Sequence, residues 1–347
     1  MPGGLPRVIF EWTKALLERD MENEYIIYLK HQPKAPLPLP GKKWKMAVLG
    51  SGFLWLNRLR NAPRADVYVF NTPVLPLFFW PPKSIAIVYD FPYKHLPPRD
   101  FKDRLRRVVI GWYHGFSMRK ADAIVAISHS TKDEIIKFFN INPEKIKVIY
   151  HGFKSICILP EKKLDLPDKF FFFAGTLKER KNVLNIVRAY NMFQKARPDN
   201  GTKLVLSGKS EGVYYEMLKK YVTQEGLVND VIFSGYLNDG QLSYAYKKAL
   251  ALLFPSIIEG SGNPILEAMD CGLPVITSNI FGPAELGSDG SAFLVNPRSA
   301  EELADAMEKV AMDGEVRRVL TEKGRQQVKK FSWNTAVGEF LLVIKSL

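Results

Sequence analysis

The sequence predicts an α/β protein built from two Rossmann-like, doubly wound domains. Three observations carry that expectation. The chain has 347 residues, enough for about two domains. Short apolar runs alternate with longer amphipathic segments, the pattern of buried parallel strands joined by helices. That pattern ends near Tyr150 and starts again at Phe170, after a charged, proline-bearing stretch at 161–169. The expected division is therefore 1–160, 161–330 and a closing helix at 331–347.

Composition narrows the class. Hydrophobic residues make up 46% and charged residues 24%, as in an ordinary globular chain. No apolar run approaches the roughly 18 residues of a membrane span. The opening MPGGLPRVIF lacks the charged-then-apolar form of a signal peptide. Cys157 and Cys271 are the two cysteines, which indicates no disulfide framework and fits a reducing cytoplasm. The net charge of +13 points to nucleic acid, an anionic membrane face or phosphorylated substrates, or to a generally basic surface. No zinc-finger or RNP motif is present, so no nucleic-acid partner is expected.

In the first domain, Gly3 and Gly4 precede an amphipathic helix reaching about residue 21, a weak phosphate-site pattern. A strand is expected at 25–29 and a proline-rich loop at 31–41. A short helix around 53–56 has Arg58 and Arg60 beside it. Gly50 and Gly52 lack the third glycine and the preceding long strand of a dinucleotide fingerprint. Strands follow at 67–70 and 85–88, with an apolar loop at 74–80 between them. Asp90 lies at the second strand's end. A long helix at 100–120 carries Lys102, Arg104, Arg106, Arg107, Arg119 and Lys120 together with Val108, Ile110, Trp112, Tyr113 and Phe116. Either its aromatics enter the core, or they and the cations face an anionic membrane. A strand at 123–126 ends at Ser128, and 128–131 caps a helix at 132–139. The last strand, 146–150, leads to His151 and Gly152. The histidines form no metal-ligand cluster.

Strands of the second domain are expected at 170–173, 203–206, 231–233, 251–254, 274–277 and 292–294. After the first comes Gly175-Thr-Leu-Lys-Glu-Arg180-Lys181-Asn, at a strand's carboxyl end, where open α/β sheets bind ligands. Asp239 is a cap for the helix containing Tyr246.

Residues 255–284 read PSIIEGSGNPILEAMDCGLPVITSNIFGPA. Asn263 is a good N-cap and Pro264 a good first residue for a helix to about Cys271. Strand, glycine loop and helix N-terminus make an anion site. Gly260 and Gly262 would let a ligand approach the backbone. Glu259 in the loop and Glu267 in the first turn are acceptors for hydroxyl groups. The pattern asks for a phosphate flanked by polyols, as in a nucleoside diphosphate sugar.

The stretch Glu259-Gly260-Ser261-Gly262-Asn263-Pro264-Ile265-Leu266-Glu267 resembles the Glu-x7-Glu signature of family-4 glycosyltransferases, the retaining, glycogen-synthase-like group with the GT-B fold. The likeness continues through Gly272-Leu273-Pro274-Val275 and extends in order over nearly the whole chain. It implies two Rossmann-like domains facing a cleft, and a closing helix that crosses back to the first domain. Arg180 and Lys181 would hold the donor diphosphate, with Gly175 beside them, although Thr176 stands where many members have arginine. Glu259 would orient the sugar, Glu267 the ribose diol, and Tyr236 would lie near the nucleobase. Ser261 and Asn263 complete the loop. Asp90 would face the acceptor and the donor sugar, Gly152 would lie near the interdomain cleft, and Gly3 and Gly4 remain a candidate phosphate site for the substrate. Tyr89 replaces the family's histidine before Asp90. The family's usual first strand, ahead of Gly3, is missing from the sequence.

The resulting expectation is retaining transfer of a hexosyl group, mannosyl or glucosyl, to a glycan or lipid-linked acceptor. It requires no cofactor and no metal, since the fixed cations serve instead and no Asp-x-Asp pair occurs. The cytoplasm or the inner membrane face is the expected setting. Two other classes are weighed against it. An epimerase or oxidoreductase needs a complete glycine fingerprint, which is lacking. A non-catalytic sugar-nucleotide-binding protein does not require both glutamates and the Arg-Lys pair, yet all are present.

Overall fold

The computed structural model describes residues 4–347 apart from 35, 42, 53, 199 and 210. It divides into two units. One holds the N-terminal residues to Phe153 together with Phe331–Leu347, the other Lys154–Lys330.

The first unit opens with α1 (Leu5–Arg19), then β1 (Tyr25–Leu29) and β2 (Trp44–Val48), which pair in parallel as a separate two-stranded sheet. β3 (Val67–Phe70) and β4 (Lys83–Val88) lead into α2 (Pro92–His95) and α3 (Phe101–Lys120). β5 (Ala123–Ala126), α4 (His129–Phe139) and β6 (Ile146–Val148) complete the series. The sheet β3-β4-β5-β6 is wholly parallel. Its strands are apolar on both faces, as a sheet covered on both sides requires. Ala86, Val88, Ile124 and Ala126 pack into one core with Phe91, Met118 and Phe139. Ile85, Ile87 and Val125 point the other way, into a core with Trp12 and Ile149.

Among the described residues, no strand joins β1 to β3, and Tyr28 and Tyr68 stack between them with centroids 5.9 Å apart. β2 was not expected from the sequence. It is a short strand, Trp-Lys-Met-Ala-Val, with no buried position, so no alternation of core-facing and solvent-facing residues reveals it. α4 begins at His129, three residues before the expected start, because Ser128 itself is the cap and accepts from the Thr131 amide.

The second unit alternates β7 (Phe170–Ala174), α5 (Val183–Ala196), β8 (Lys203–Ser207), α6 (Val213–Gln224), β9 (Val231–Gly235), α7 (Asp239–Lys248), β10 (Ala251–Phe254), α8 (Asn263–Asp270), β11 (Val275–Ser278), α9 (Phe281–Leu286) and β12 (Phe293–Val295). It closes with α10 (Ala300–Met312) and α11 (Gly314–Gln327). The six strands are parallel in the order β9-β8-β7-β10-β11-β12. The chain reverses its direction of winding between β7 and β10, which makes that crevice a topological switch point. Phe170, Phe171, Phe172 and Phe173 are fully buried, as expected for a central strand. Asn238, not Asp239, caps α7, because the Asn238 and Gln241 side chains bond reciprocally to each other's backbone N–H.

The unit boundary lies after Phe153, earlier than the 160 expected. Residues 154–162 are fastened to the second unit. Lys154 pairs with Asp239 at 3.1 Å, Ser155 Oγ donates to Asp270 at 2.6 Å, and Glu161 pairs with Lys247 at 2.8 Å. Cys157 and Cys271 are joined as a disulfide, with Cα atoms 5.4 Å apart. No disulfide was expected from the sequence: the partners lie 114 residues apart, so spacing gave no hint of the pair.

The last helix, α12 (Trp333–Lys345), belongs to the first unit. Trp12 on α1 meets Trp333 and Phe340 edge-on, at 5.7 and 5.4 Å between centroids.

Candidate active site

The switch point brings together the two loops that the sequence singles out. β7 is followed by Gly175, whose amide donates to the Ser207 carbonyl at 3.0 Å. The chain then makes a short 3-10 turn, Glu179–Lys181, closed by Asn182 in the left-handed conformation. The Asn182 amide group donates to the carbonyls of Pro255 and Pro297 at 3.0 and 2.5 Å. The Ile257 amide donates to the Arg180 carbonyl at 2.9 Å. These bonds lock the turn after β7 to the loop after β10.

Arg180 Nη1 donates to Glu259 Oε2 at 2.6 Å, and Lys181 Nζ pairs with the same oxygen. The Lys181 ammonium is buried and sits 4.5 Å from the centre of the Phe254 ring. Arg180 is more open, with 28% of its side chain exposed against 8% for Lys181. Two cations and one carboxylate thus share a dehydrated corner where they interact strongly.

α8 starts at Asn263, after the short loop 260–262 that follows Glu259. Gly262 is its N-cap, and Asn263 is its first residue rather than the expected cap. The Asn263 Oδ1 atom is buried without a hydrogen-bond partner among the described residues. Glu267 is the fifth residue of α8, so it lies past the first turn where the sequence put it. It is buried, and Tyr246 Oη on α7 donates to its Oε2 at 3.2 Å. Ser261 is half-buried, and Gly260 is buried with its carbonyl against Gly282. Gly262 is extended, a conformation open to any residue, but a side chain there would press on Ile265. Tyr236, just beyond β9, is exposed.

Sequence reasoning missed Gly208. Its φ is 157°, and a Cβ there would lie 1.8 Å from the Gly175 carbonyl oxygen. Gly208 therefore shapes the floor of the turn that carries Arg180. A Ser-Gly at a strand's carboxyl end was the available signal. Gly282 acts likewise: a Cβ there would meet the Gly260 carbonyl at 2.3 Å.

The remaining candidates lie in the first unit. Gly3 is outside the described residues. Gly4 caps α1 with φ 76°, and its carbonyl accepts from Arg7 and Val8. Gly152 packs against α12, where a Cβ would lie 2.3 Å from the Trp333 nitrogen. Its neighbour His151 is buried and stacks on Trp333.

Asp90 follows β4 and borders a titratable group that the sequence did not reveal. Burial and the Asp90 carboxylate push buried Glu134 up to about 7. Glu134 Oε1 bonds His95 Nε2, and burial and Lys137 hold His95 below its ordinary value. The two shifts run opposite to those of an ion pair, so burial favours the neutral form of each partner over the charged one. Burial and Lys94 push His114 nearby down to about 4.

A parallel sheet reversing at β7 and β10, with cations and a glycine loop at the switch point, defines a Rossmann-like α/β ligand-binding domain. Two family models match in succession: Glycosyltransferase Family 4 over residues 2–154 and Glycosyl transferases group 1 over 157–327. The chain is a family-4 glycosyltransferase with the GT-B fold. It is 26% identical to O-antigen chain mannosyltransferase B of Escherichia coli, over 81% of this chain and 74% of that one. It is 32% identical to the E. coli serotype-specific mannosyltransferase WbdA over 62% of this chain, which spans 28% of that longer protein. A sucrose-phosphate synthase from Thermosynechococcus elongatus has the same fold, with a TM-score of 0.80, 18% identity, and coverage of 99% and 93%.

Proposed function

We propose that the protein transfers a hexosyl group, of the mannosyl or glucosyl class, from a nucleoside diphosphate sugar with retention of configuration. The acceptor would be a glycan or a lipid-linked glycan. The meeting of Arg180, Lys181 and Glu259 beside the N-terminus of α8 carries this reading. As the bond between the anomeric carbon and the diphosphate breaks, negative charge grows on the leaving oxygen. Arg180, Lys181 and the positive end of the α8 dipole would stabilise it. Arginine has five N–H donors, so Arg180 can bind the diphosphate while one Nη still holds Glu259. Glu259, fixed by both cations, would orient the sugar hydroxyls. Glu267, held by Tyr246, would accept from the ribose diol, with Tyr236 near the base. Gly175 and residues 260–263 would line the donor, and Asp90 would face the acceptor and the donor sugar.

The acceptor hydroxyl would attack on the face that the diphosphate leaves, and its proton would pass to that phosphate. Fixed cations supply the charge that a metal would otherwise bring, so neither metal nor cofactor is required in this scheme. The relatives named as O-antigen mannosyltransferases support a polysaccharide product. A nucleoside diphosphate sugar is too highly charged to cross a bilayer unaided, so in this reading the reaction would run on the cytoplasmic side, at the inner membrane face when the acceptor is lipid-linked. No described helix is long and apolar enough to cross a membrane.

A thermal-shift screen with UDP-, GDP- and ADP-sugars tests the donor class. A ligand at 100 times its Kd adds about 2.7 kcal/mol. No shift with any of them would remove the donor reading.

A further inference from the structure

α3 presents an apolar stripe to solvent. Phe101, Leu105, Val108, Val109 and Trp112 recur at the spacing of one helical face, and Phe101 is 78% and Trp112 60% exposed. Packing explains some of the helix's aromatics: Tyr113 Oη donates to the Leu75 carbonyl at 2.5 Å. Trp112 instead stacks on half-buried Phe116, whose ring lies 6.3 Å from that of exposed Trp80. The stripe thus continues onto the loop before β4.

The charges beside it have one sign. Lys102, Arg104 and Arg106 are exposed, and among the described residues none of them is in an ion pair. Lys120 lies 5.0 Å from the Trp80 ring. The two acids of this segment are engaged otherwise. Asp100 caps the helix, and Asp103 pairs with Arg107 at 2.7 Å.

We propose that this face of α3, with Trp80, docks the protein on an anionic lipid surface. Apolar side chains would enter the headgroup boundary while Lys102, Arg104, Arg106 and Lys120 meet the lipid charges. Charge favours this occupant over a second copy of the chain, because a two-fold contact would bring like cations together. The inference rests on the membrane setting proposed above, not on the transfer chemistry.

The test is co-sedimentation of the full chain with vesicles of phosphatidylcholine alone and of phosphatidylcholine mixed with phosphatidylglycerol. Binding to the mixed vesicles is expected, falling as salt is raised, with at least tenfold weaker binding to the neutral ones. Val108→Asp/Trp112→Ser and Arg104→Glu/Arg106→Glu should each weaken it at least tenfold. Donor hydrolysis by both variants should stay within twofold of the parent, which separates failure of docking from failure of the transfer reading. Equal binding to both vesicle types, or undiminished binding by both variants, would overturn the proposal. So would sedimentation velocity showing a dimer that Val108→Asp/Trp112→Ser dissolves, since the face would then belong to a second copy.

Discussion

Arg180 donates to Glu259 at 2.6 Å from a loop 79 residues away in sequence, across the switch point between β7 and β10. The pair lets the turn after β7 set the position of the carboxylate beside α8. Removing the arginine should therefore affect the chemistry more than the fold. Arg180→Ala is expected to lose on the order of 2–4 kcal/mol of transition-state stabilisation, read from kcat/KM, with little change in Tm. Arg180→Lys should recover only part of the loss, because lysine has no fork. Near-normal turnover in Arg180→Ala would take this side chain out of the mechanism.

Lys181 differs because it is buried. A turn lysine read from sequence alone looks dispensable to folding, but this ammonium packs on Phe254 and shares Glu259. Lys181→Ala should lower both turnover and Tm, the latter by a few degrees for a loss of about 1–3 kcal/mol. Lys181→Met, which keeps the stem, should recover more Tm than turnover. Equal recovery of both would assign the residue to packing alone.

How much of this was readable in advance follows from range. The six strands of the second unit and the Glu259–Glu267 loop are local patterns, and periodicity with glycine and proline punctuation reports them. Asn263 was misassigned as a cap because Gly262 caps α8 one residue earlier, a backbone matter that residue preference does not decide. The Cys157–Cys271 bond, the Tyr246–Glu267 contact and the pressure of Gly208 on Gly175 all join separate segments, and no spacing rule encodes them. Trp112 lies on a helix whose periodicity fits a core or a membrane equally, and only its exposure takes this side chain out of the core.

Gly208→Ala tests one of those hidden contacts. The new methyl would collide with the Gly175 carbonyl, and φ of 157° is costly for an L residue. A loss of roughly 1–3 kcal/mol in stability is expected, with weaker donor binding from the displaced turn. Denaturant unfolding and donor titration measure the two effects. Parent-like values in both would show that the turn does not depend on Gly208.

Glu134 gives a pH signature. Its pKa is raised in the folded protein, from 4.5 to about 7, so its contribution to stability is present below pH 4.5 and is lost as pH rises through 7. The size is on the order of 3 kcal/mol at most. Glu134→Gln mimics the protonated form and should gain Tm relative to the parent as pH rises from about 5 to 8. His114, held at about 4, acts in the opposite sense: its contribution is present above 6.5 and is lost as pH falls towards 4. It is common to both proteins and cancels in the difference. A pH-independent difference in Tm would refute the assignment of the proton to Glu134.

The most direct measurement is the anomeric configuration of the first product. Parent protein, stripped with EDTA, would be given GDP-mannose, UDP-glucose or ADP-glucose in turn, and the released or transferred sugar followed by proton NMR before mutarotation. The account requires turnover without added metal of at least one α-linked donor, with the α anomer appearing first and Arg180→Ala strongly reduced. Initial appearance of the β anomer, or turnover only after Mn2+ or Mg2+ is restored, would contradict it.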